Sequence, residues 1–372
     1  MKIYSKTNVF DTALDRIRWL YDEFPNVLCG VSGGKDSTVV FNLCLQVARE
    51  KKRLPLKVFF LDQEAEWAAT IEQIKYHMEH PDVEPMWFQV PIRLFNATSS
   101  TEHWLYCWNP ADKDKWIHPQ QPGAYTVNRY GTDRFAKMFQ AICYVEFPNT
   151  PTCYVAGVRT EESPARFLAV TTSAVHKWAT WGKRLDSKRK HVTFYPIYDW
   201  SYTDVWAAIN ENGWRYNKLY DLMYSYGIPV SNMRVSNVHH ETAVHSLFFM
   251  QEVEPETYSK LTRRISGIDM AGKLGRDDYF VSELPFMFES WGQYRDYLLE
   301  KLVDNLKWRE SLRRTFDRHQ RLYGKEMYEP MCKVHVSSIL THDWEQVKLN
   351  NWEKSPTVYW LRKKKEKTLL WT

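Results

Sequence analysis

Apolar runs of strand length alternate with amphipathic segments through the first half of the chain. This predicts an α/β fold: a parallel sheet covered by helices on both faces, followed by a mainly helical C-terminal region. Three observations carry the prediction. Short apolar runs occur at 27–31, 57–61, 86–90 and 153–156. Helical periodicity separates the first three. A small-residue turn at 32–37 joins the first run to a helix.

Residues 8–24 read as an amphipathic helix, with Leu14, Ile17, Leu20 and Tyr21 at helical spacing and Asp11 or Thr12 as its cap. The run 27–31 suits a buried strand, and 38–50 returns to helical periodicity. A second strand at 57–61, a second helix at 65–80, and strands at 86–90 and 153–156 follow. A further strand is placed around Pro196. The stretch 93–135 breaks this rhythm, with Trp104, Trp108, Trp116, Tyr125 and Tyr130 among Pro, Asn and Asp. A connection of that length is either a lid or binding insertion, or a surface subdomain. Strand signals fade after Tyr220, and 284–323 reads as one long helical region with Tyr294, Leu298, Leu302 and Leu306 as its apolar positions.

The composition narrows the class. The chain has 372 residues, 44% hydrophobic and 26% charged, which excludes a largely disordered or low-complexity protein. A net charge of +5 permits an anionic ligand without demanding nucleic acid. No apolar run reaches membrane-span length, and the first residues lack a signal-peptide apolar block, so a cytoplasmic protein without a membrane anchor is expected. Six scattered cysteines without CxxC spacing argue against a disulfide framework, an iron–sulfur cluster or a structural zinc. The 17 Trp and 22 Tyr against 14 Gly call for a deep core, a lined pocket or a stacking surface.

Gly30-Val31-Ser32-Gly33-Gly34-Lys35-Asp36-Ser37 is the most informative segment. Glycines between a strand and a helix let the backbone turn sharply and present N–H groups at the positive helix end, which suits phosphate. Lys35 adds a charge, and Ser32 and Ser37 add hydroxyl donors. Asp36 repels bare phosphate, which points to Mg2+ as a bridge held by Asp36. A Walker A loop is excluded, because Asp36 stands where Ser or Thr is required and the glycine spacing is one short. The segment instead resembles the PP-loop, SGGxDS, of the ATP-pyrophosphatase superfamily. That resemblance implies binding of ATP or a related adenylyl anhydride and cleavage between the α and β phosphates.

Asp62 and Glu64 close the second strand, where acidic side chains contact ribose or Mg2+, or simply favour a helix start. Gly157-Val158-Arg159-Thr160-Glu161-Glu162-Ser163-Pro164-Ala165-Arg166 offers Arg159 and Arg166 for bidentate oxyanion contacts, with Glu162 to orient them. This segment resembles the GxRxxES-x-x-R motif of the phosphoadenosine phosphosulfate (PAPS) reductase family. Residues 196–206 resemble that family's next segment, in which Ser201 and Asp204 make a helix cap. The resemblance spans roughly residues 25–225. It implies an adenine nucleotide α-hydrolase-like fold with a five-stranded, mostly parallel sheet. It also implies Ser32, Gly33, Gly34, Lys35, Asp36, Ser37, Gly157, Arg159 and Arg166 as nucleotide contacts. Residues 1–230 are expected to form this nucleotide-binding domain, with 93–135 inserted, and residues 231–372 the mainly helical region.

The sequence departs from true PAPS reductases at their C-terminal cysteine motif, E-C-G-[IL]-H. Only Cys332, in Met331-Cys332-Lys333-Val334-His335, echoes it. The helical extension and Met233-Arg234-Val235-Ser236-Asn237 resemble the DUF3440/IbrA-like branch of bacteria and phages, whose resemblance implies a ParB/sulfiredoxin-like protein partner. Arg234 is a further phosphate-contact candidate. His239-His240-Glu241-Thr242-Ala243-Val244-His245 falls short of HExxH because Val244 stands where His is needed. The basic segment 183–191, with Trp178 and Trp181 upstream, is either a solvated loop or a contact to a polyanion or nucleic acid. Three functions follow from these readings: an ATP-cleaving adenylyltransferase, a thiol-dependent PAPS or adenylylsulfate reductase, and a nucleotide sensor acting through a partner.

Overall fold

The computed structural model describes residues 6–99, 101–171, 173–185, 191–230, 233–235, 238, 245–268 and 281–369. The chain divides into two compact units, Met1–Leu94 with Tyr106–Asn237, and Phe95–Leu105 with Val238–Thr372. Residues 186–190 of the basic segment, the histidine-rich residues 239–244, and Ser236 and Asn237 lie outside the described residues.

In the first unit, α1 (Val9–Glu23) leads into β1 (Asn26–Gly30), α2 (Lys35–Glu50), β2 (Leu56–Leu61), α3 (Ala68–Met78) and β3 (Val83–Phe88). The strands β4 (Ile92–Phe95) and β5 (Trp104–Cys107) form a separate two-stranded ribbon. Then come α4 (Phe135–Glu146), β6 (Thr152–Val155), α5 (Pro164–Thr171), β7 (Gly182–Arg184), β8 (His191–Phe194), α6 (Tyr202–Glu211) and α7 (Leu219–Ser225).

The main sheet runs in the order β3-β2-β1-β6-β8-β7. Its pairs are parallel, as in Leu28↔Lys57 and Cys29↔Val155, except for the antiparallel edge strand β7. The sheet is therefore mostly parallel and flanked by helices, but it has six strands where five were expected. The extra strand is the three-residue edge β7. The chain moves outward from β1 through β2 and β3, then returns to the other side of β1 at β6. That reversal opens a crevice beyond the C-terminal ends of β1 and β6, where ligands bind in open α/β sheets. Val27, Leu28, Cys29, Val155, Val192 and Phe194 are all buried, so these strands read as continuous apolar runs.

Two local expectations change, and a third holds. Asn8, not Asp11 or Thr12, caps α1: its Oδ1 accepts from the Asp11 amide at 2.8 Å, because Asn8 is the extended residue just before the helix. The strand expected around Pro196 is displaced to β8. Residues 195–200 turn instead, with the Tyr198 amide donating to the Tyr195 carbonyl and Trp200 to Ile197. Proline has no N–H to offer a ladder. The Ser201/Asp204 cap forms as a reciprocal capping box at the start of α6.

From Val238 onward, the described elements of the second unit are all helices: α8 (His245–Val253), α9 (Pro255–Arg264), α10 (Trp291–Lys301), α11 (Leu306–Leu340), α12 (Val347–Glu353) and α13 (Pro356–Leu369). The single long helix expected over 284–323 is two. The first is capped by Ser290, and the second is re-capped by Asn305, whose side chain accepts from Trp308 N. Leu302 and Leu306 flank that break and are exposed rather than buried. The second helix continues to Leu340 but bends at Met327 (φ −137°, ψ 34°), where Pro330 removes an amide and crowds the preceding turn. Leu298, Val303, Leu312, Phe316, Val336 and Leu349 form the core. The segment 95–105 belongs here because His342 bonds the Ala97 carbonyl and Trp344 Nε1 donates to the Ser99 carbonyl.

His319 links His335 (2.8 Å) to Glu353 (2.6 Å) in a buried chain. Burial is the largest influence on both: it lowers His335 to about 2, with His319 and then Arg295 adding to it, and in the first unit it lowers His77 to about 3, with Arg215 and then His80 adding to it. His319 and His342 are also lowered, mainly by burial, against one raised imidazole, His118. An unfolded chain charges these imidazoles near pH 6.5. Between that value and the depressed folded ones, the unfolded state binds more protons, so stability is lost as pH falls below about 6.5.

Two outcomes are expected. The thermal midpoint drops between pH 7 and pH 5, and the drop shrinks in His335→Gln; an unchanged midpoint at pH 5 contradicts the assignment. Ser201→Ala costs about 1 kcal/mol by urea unfolding, at constant m-value.

Candidate functional site

The loop between β1 and α2 is shaped by its own side chains. Ser37 Oγ donates to the Gly34 carbonyl (2.9 Å) and accepts from the Ser32 amide (3.1 Å), pinning the turn. Gly33 has φ +70°, and a Cβ there meets Thr70 Cγ2 at 2.7 Å, so glycine is required on both counts. Gly34 caps α2 without a side chain, and the Lys35 amide is capped from a distance by Tyr220 Oη at 3.2 Å. Lys35 Nζ lies 5.4 Å from the centre of the same ring. The Asn217 amide donates to the Gly33 carbonyl (3.1 Å), holding the loop from the start of α7.

The second half of the site follows β6. Gly157 passes against the first turn of α2; a Cβ there would stand 2.8 Å from the Asp36 carbonyl and 2.9 Å from the Ser37 nitrogen. This approach brings Arg159, only 5% exposed, onto Asp36 and Glu161. Asp36 also holds Lys35 at 3.0 Å. Glu162 accepts from the Arg159 amide and pairs with Arg166. The Arg166 guanidinium is pushed below its usual range, first by burial and next by the positive charge of Arg234.

These groups face one cavity of about 670 Å³, lined by Ser32, Gly34, Lys35, Asp36, Ser37, Gly157, Arg159, Glu162 and Arg166 of the expected set. Gly33 supports it from behind. Sequence reasoning missed Glu161 and Tyr202 as lining groups. Arg234, a phosphate-contact candidate in the sequence, lines it too; Tyr220, Val230, Met233 and Val235 come from far along the chain, and no local pattern marks them as lining groups.

Asp62 and Glu64 lie outside the lining. Both are fully buried. Asp62 accepts from Trp87 Nε1 (2.8 Å), Gln89 Nε2 (2.9 Å) and the Glu64 amide (2.8 Å), and lies 3.4 Å from His118. Burial opposes charge on His118, but the Asp62 charge and hydrogen bond outweigh it, and the imidazole is raised. Glu64, at φ 63°, accepts from the Trp108 amide, while the Trp108 indole donates to the Asp62 carbonyl. The carboxylates expected on ribose or Mg2+ thus organise a buried turn. Trp108, 1% exposed, is part of that turn's core, with Trp116 edge-on at 5.2 Å. Trp104, Trp108 and Trp116 do not line the cavity.

Cys332 sits on α11 of the second unit, buried, with Arg295 donating to its sulfur at 3.3 Å. Burial, the largest influence, raises its thiol despite that arginine. Among the described residues no three His, Cys, Asp or Glu side chains group to hold a metal, and no helix is long and apolar enough to cross a membrane.

Residues 26–226 match the family described as the phosphoadenosine phosphosulfate reductase domain, and residues 227–343 match a domain of unknown function, DUF3440. The protein YbdN of Escherichia coli (strain K12) is 26% identical over 314 residues, covering 80% of this chain and 75% of YbdN. The PAPS reductase of Candida auris in a phosphate complex aligns at 14% identity and TM-score 0.32, over 59% of this chain and 93% of that one. The FMN adenylyltransferase of Candida glabrata, with FAD and pyrophosphate, aligns at 15% identity and TM-score 0.36, over 57% and 58% of the two chains. The match over 26–226 takes in more than half of the sequence and the two cavity motifs at 30–37 and 157–166: the chain belongs to the phosphoadenosine phosphosulfate reductase domain family, with a DUF3440 segment following.

Proposed function

We propose that the cavity binds ATP or a related adenylyl anhydride, and that the chain cleaves the α–β phosphate bond to adenylylate an acceptor. The observation that carries this reading is the convergence of Lys35, Arg159, Arg166 and Arg234 on one cavity at the N-terminus of α2. Helix-end amides and cations together suit a polyphosphate. Tyr202, Val158, Val230, Met233 and Val235 supply an apolar wall suited to a purine.

In the proposed reaction an acceptor nucleophile attacks the α phosphorus. The bond to the bridging oxygen breaks, and pyrophosphate leaves with its electron pair. The chain contributes position and charge: the loop 32–37 orients the phosphates, and Lys35 and Arg159 neutralise the charge that develops on the leaving group. Arg159 is already held by Asp36 and Glu161, so little reorganisation accompanies binding.

Mg2+ fits this donor set in one way. It commonly takes one or two carboxylates plus substrate phosphates and water, and Asp36 is a carboxylate facing the cavity beside two cations. Asp36 would hold the ion, which would supply further charge neutralisation across the phosphates.

Reduction of a sulfonucleotide is the second reading, favoured by family membership. It requires a thiolate, and Cys332 is buried with its thiol raised. A nucleotide sensor acting with a protein partner is the third, and it predicts binding without turnover.

With ATP and Mg2+, pyrophosphate formation is expected, accompanied by AMP where water serves as the acceptor, and Lys35→Ala lowers it about 100-fold without changing the thermal midpoint. ATP bound without turnover, with the acceptor pool of a cell extract present, favours the sensor. Cys332→Ser leaves ATP cleavage unchanged. Thioredoxin-dependent sulfite release from PAPS that is lost in the same variant establishes the reductase reading instead.

A further inference from the structure

The family boundary and the boundary of the compact unit do not coincide. The DUF3440 match begins at residue 227, yet the first unit extends to Asn237. Val230, Met233, Arg234 and Val235, from the stretch between, line the cavity. Their seat is built from buried groups of the PAPS reductase segment. The Thr70 hydroxyl donates to the Val235 carbonyl and accepts from Asn217 Nδ2 (2.9 Å), and that amide also donates to the Gly33 carbonyl. Thr70 and Asn217 are 0% and 1% exposed. A Cβ on Gly34 would stand 3.7 Å from Val235 Cγ2, so this strap lies directly on the phosphate loop.

Its charge differs from that of the other cavity cations. Lys35 pairs with Asp36, Arg159 with Asp36 and Glu161, and Arg166 with Glu162. Among the described residues Arg234 is the cavity cation with no carboxylate partner, and it is exposed. Arg166 lines the same cavity and feels its charge, so the two guanidinium groups share that space. Like charges so placed are relieved by an anion between them.

We propose that Arg234 reads a second anionic group of the bound nucleotide, a phosphate beyond the one seated at the N-terminus of α2. The DUF3440 segment thereby sets which adenylyl nucleotide the PAPS reductase fold accepts. This rests on the adenylyl-nucleotide reading of the cavity. The second group is a β or γ phosphate of a triphosphate or the 3′-phosphate of a nucleoside bisphosphate; both present the same oxyanion to the guanidinium.

The test is calorimetric titration of the full chain with AMP, ATP and adenosine 3′,5′-bisphosphate. Arg234→Gln is expected to weaken one or both polyanions about tenfold while AMP changes less than twofold. Arg234→Lys restores part of the loss, and the thermal midpoint is unchanged because the side chain is exposed and unpaired. The polyanion that loses affinity identifies the source of the second group. Equal loss for all three ligands, no loss for any, or a wild type that binds the polyanions no tighter than AMP overturns the role of Arg234. A wild type that binds none of them overturns the nucleotide reading itself.

Discussion

The geometry of the cavity depends on one close approach: the backbone after β6 runs against the first turn of α2 at Gly157. Even a methyl group there would overlap the Asp36 carbonyl and the Ser37 nitrogen. Without that contact the two cavity-lining segments, more than 120 residues apart, would not share a wall. With it, Arg159 lands two residues later on Asp36, and Glu162 turns back to the Arg159 amide and to Arg166. The parallel pairing of β1 with β6, from Asn26↔Thr152 to Cys29↔Val155, sets the register that makes the approach possible.

The cavity stores its charge in a neutralised form. Three of its four cations are matched to carboxylates, which lowers the cost of keeping them partly buried. The loop itself is held by neutral groups: Ser37 within it, and Tyr220, Asn217 and Thr70 from other elements. Shape and charge are thus carried by different residues. On the other side of β2 the same chemical types do the opposite task. Asp62 and Glu64 spend their acceptor capacity on indole, amide and backbone donors, and tie together two loops that each carry a left-handed residue, Glu64 and Trp108.

The second unit follows a different logic. Its helices bury aromatic and aliphatic faces around α11, and its polar interior is a chain of histidines closed by Glu353. The imidazoles are kept neutral by burial, which ties the stability of this unit to pH. Cys332 lies in its apolar company, beside Tyr323, Met331 and Val358. The surroundings that make it a good packing residue make it a poor nucleophile.

The sequence by itself determined the strand–turn–helix start, the parallel sheet and the glycine loop, because these rest on short-range rules: apolar runs, glycine at a positive φ, a cap three residues from its partner. Ser32, Gly34, Lys35, Asp36, Ser37, Gly157, Arg159, Glu162 and Arg166 were legible because each falls within a contiguous motif. Tertiary structure alone decided the rest. Asp62 and Glu64 were indistinguishable in sequence from ligand-binding carboxylates until Trp87, Gln89, Trp108 and His118 arrived to occupy them. The support that Tyr220, Thr70 and Asn217 give the loop had no local signal, since their partners lie 147 to 185 residues away. The break between α10 and α11 was hidden because apolar spacing continues across it, and the cap at Asn305 prevails over that periodicity. A local pattern can specify how a segment turns; which buried donors and acceptors meet is settled only when the whole chain closes and every polar group inside must find a partner.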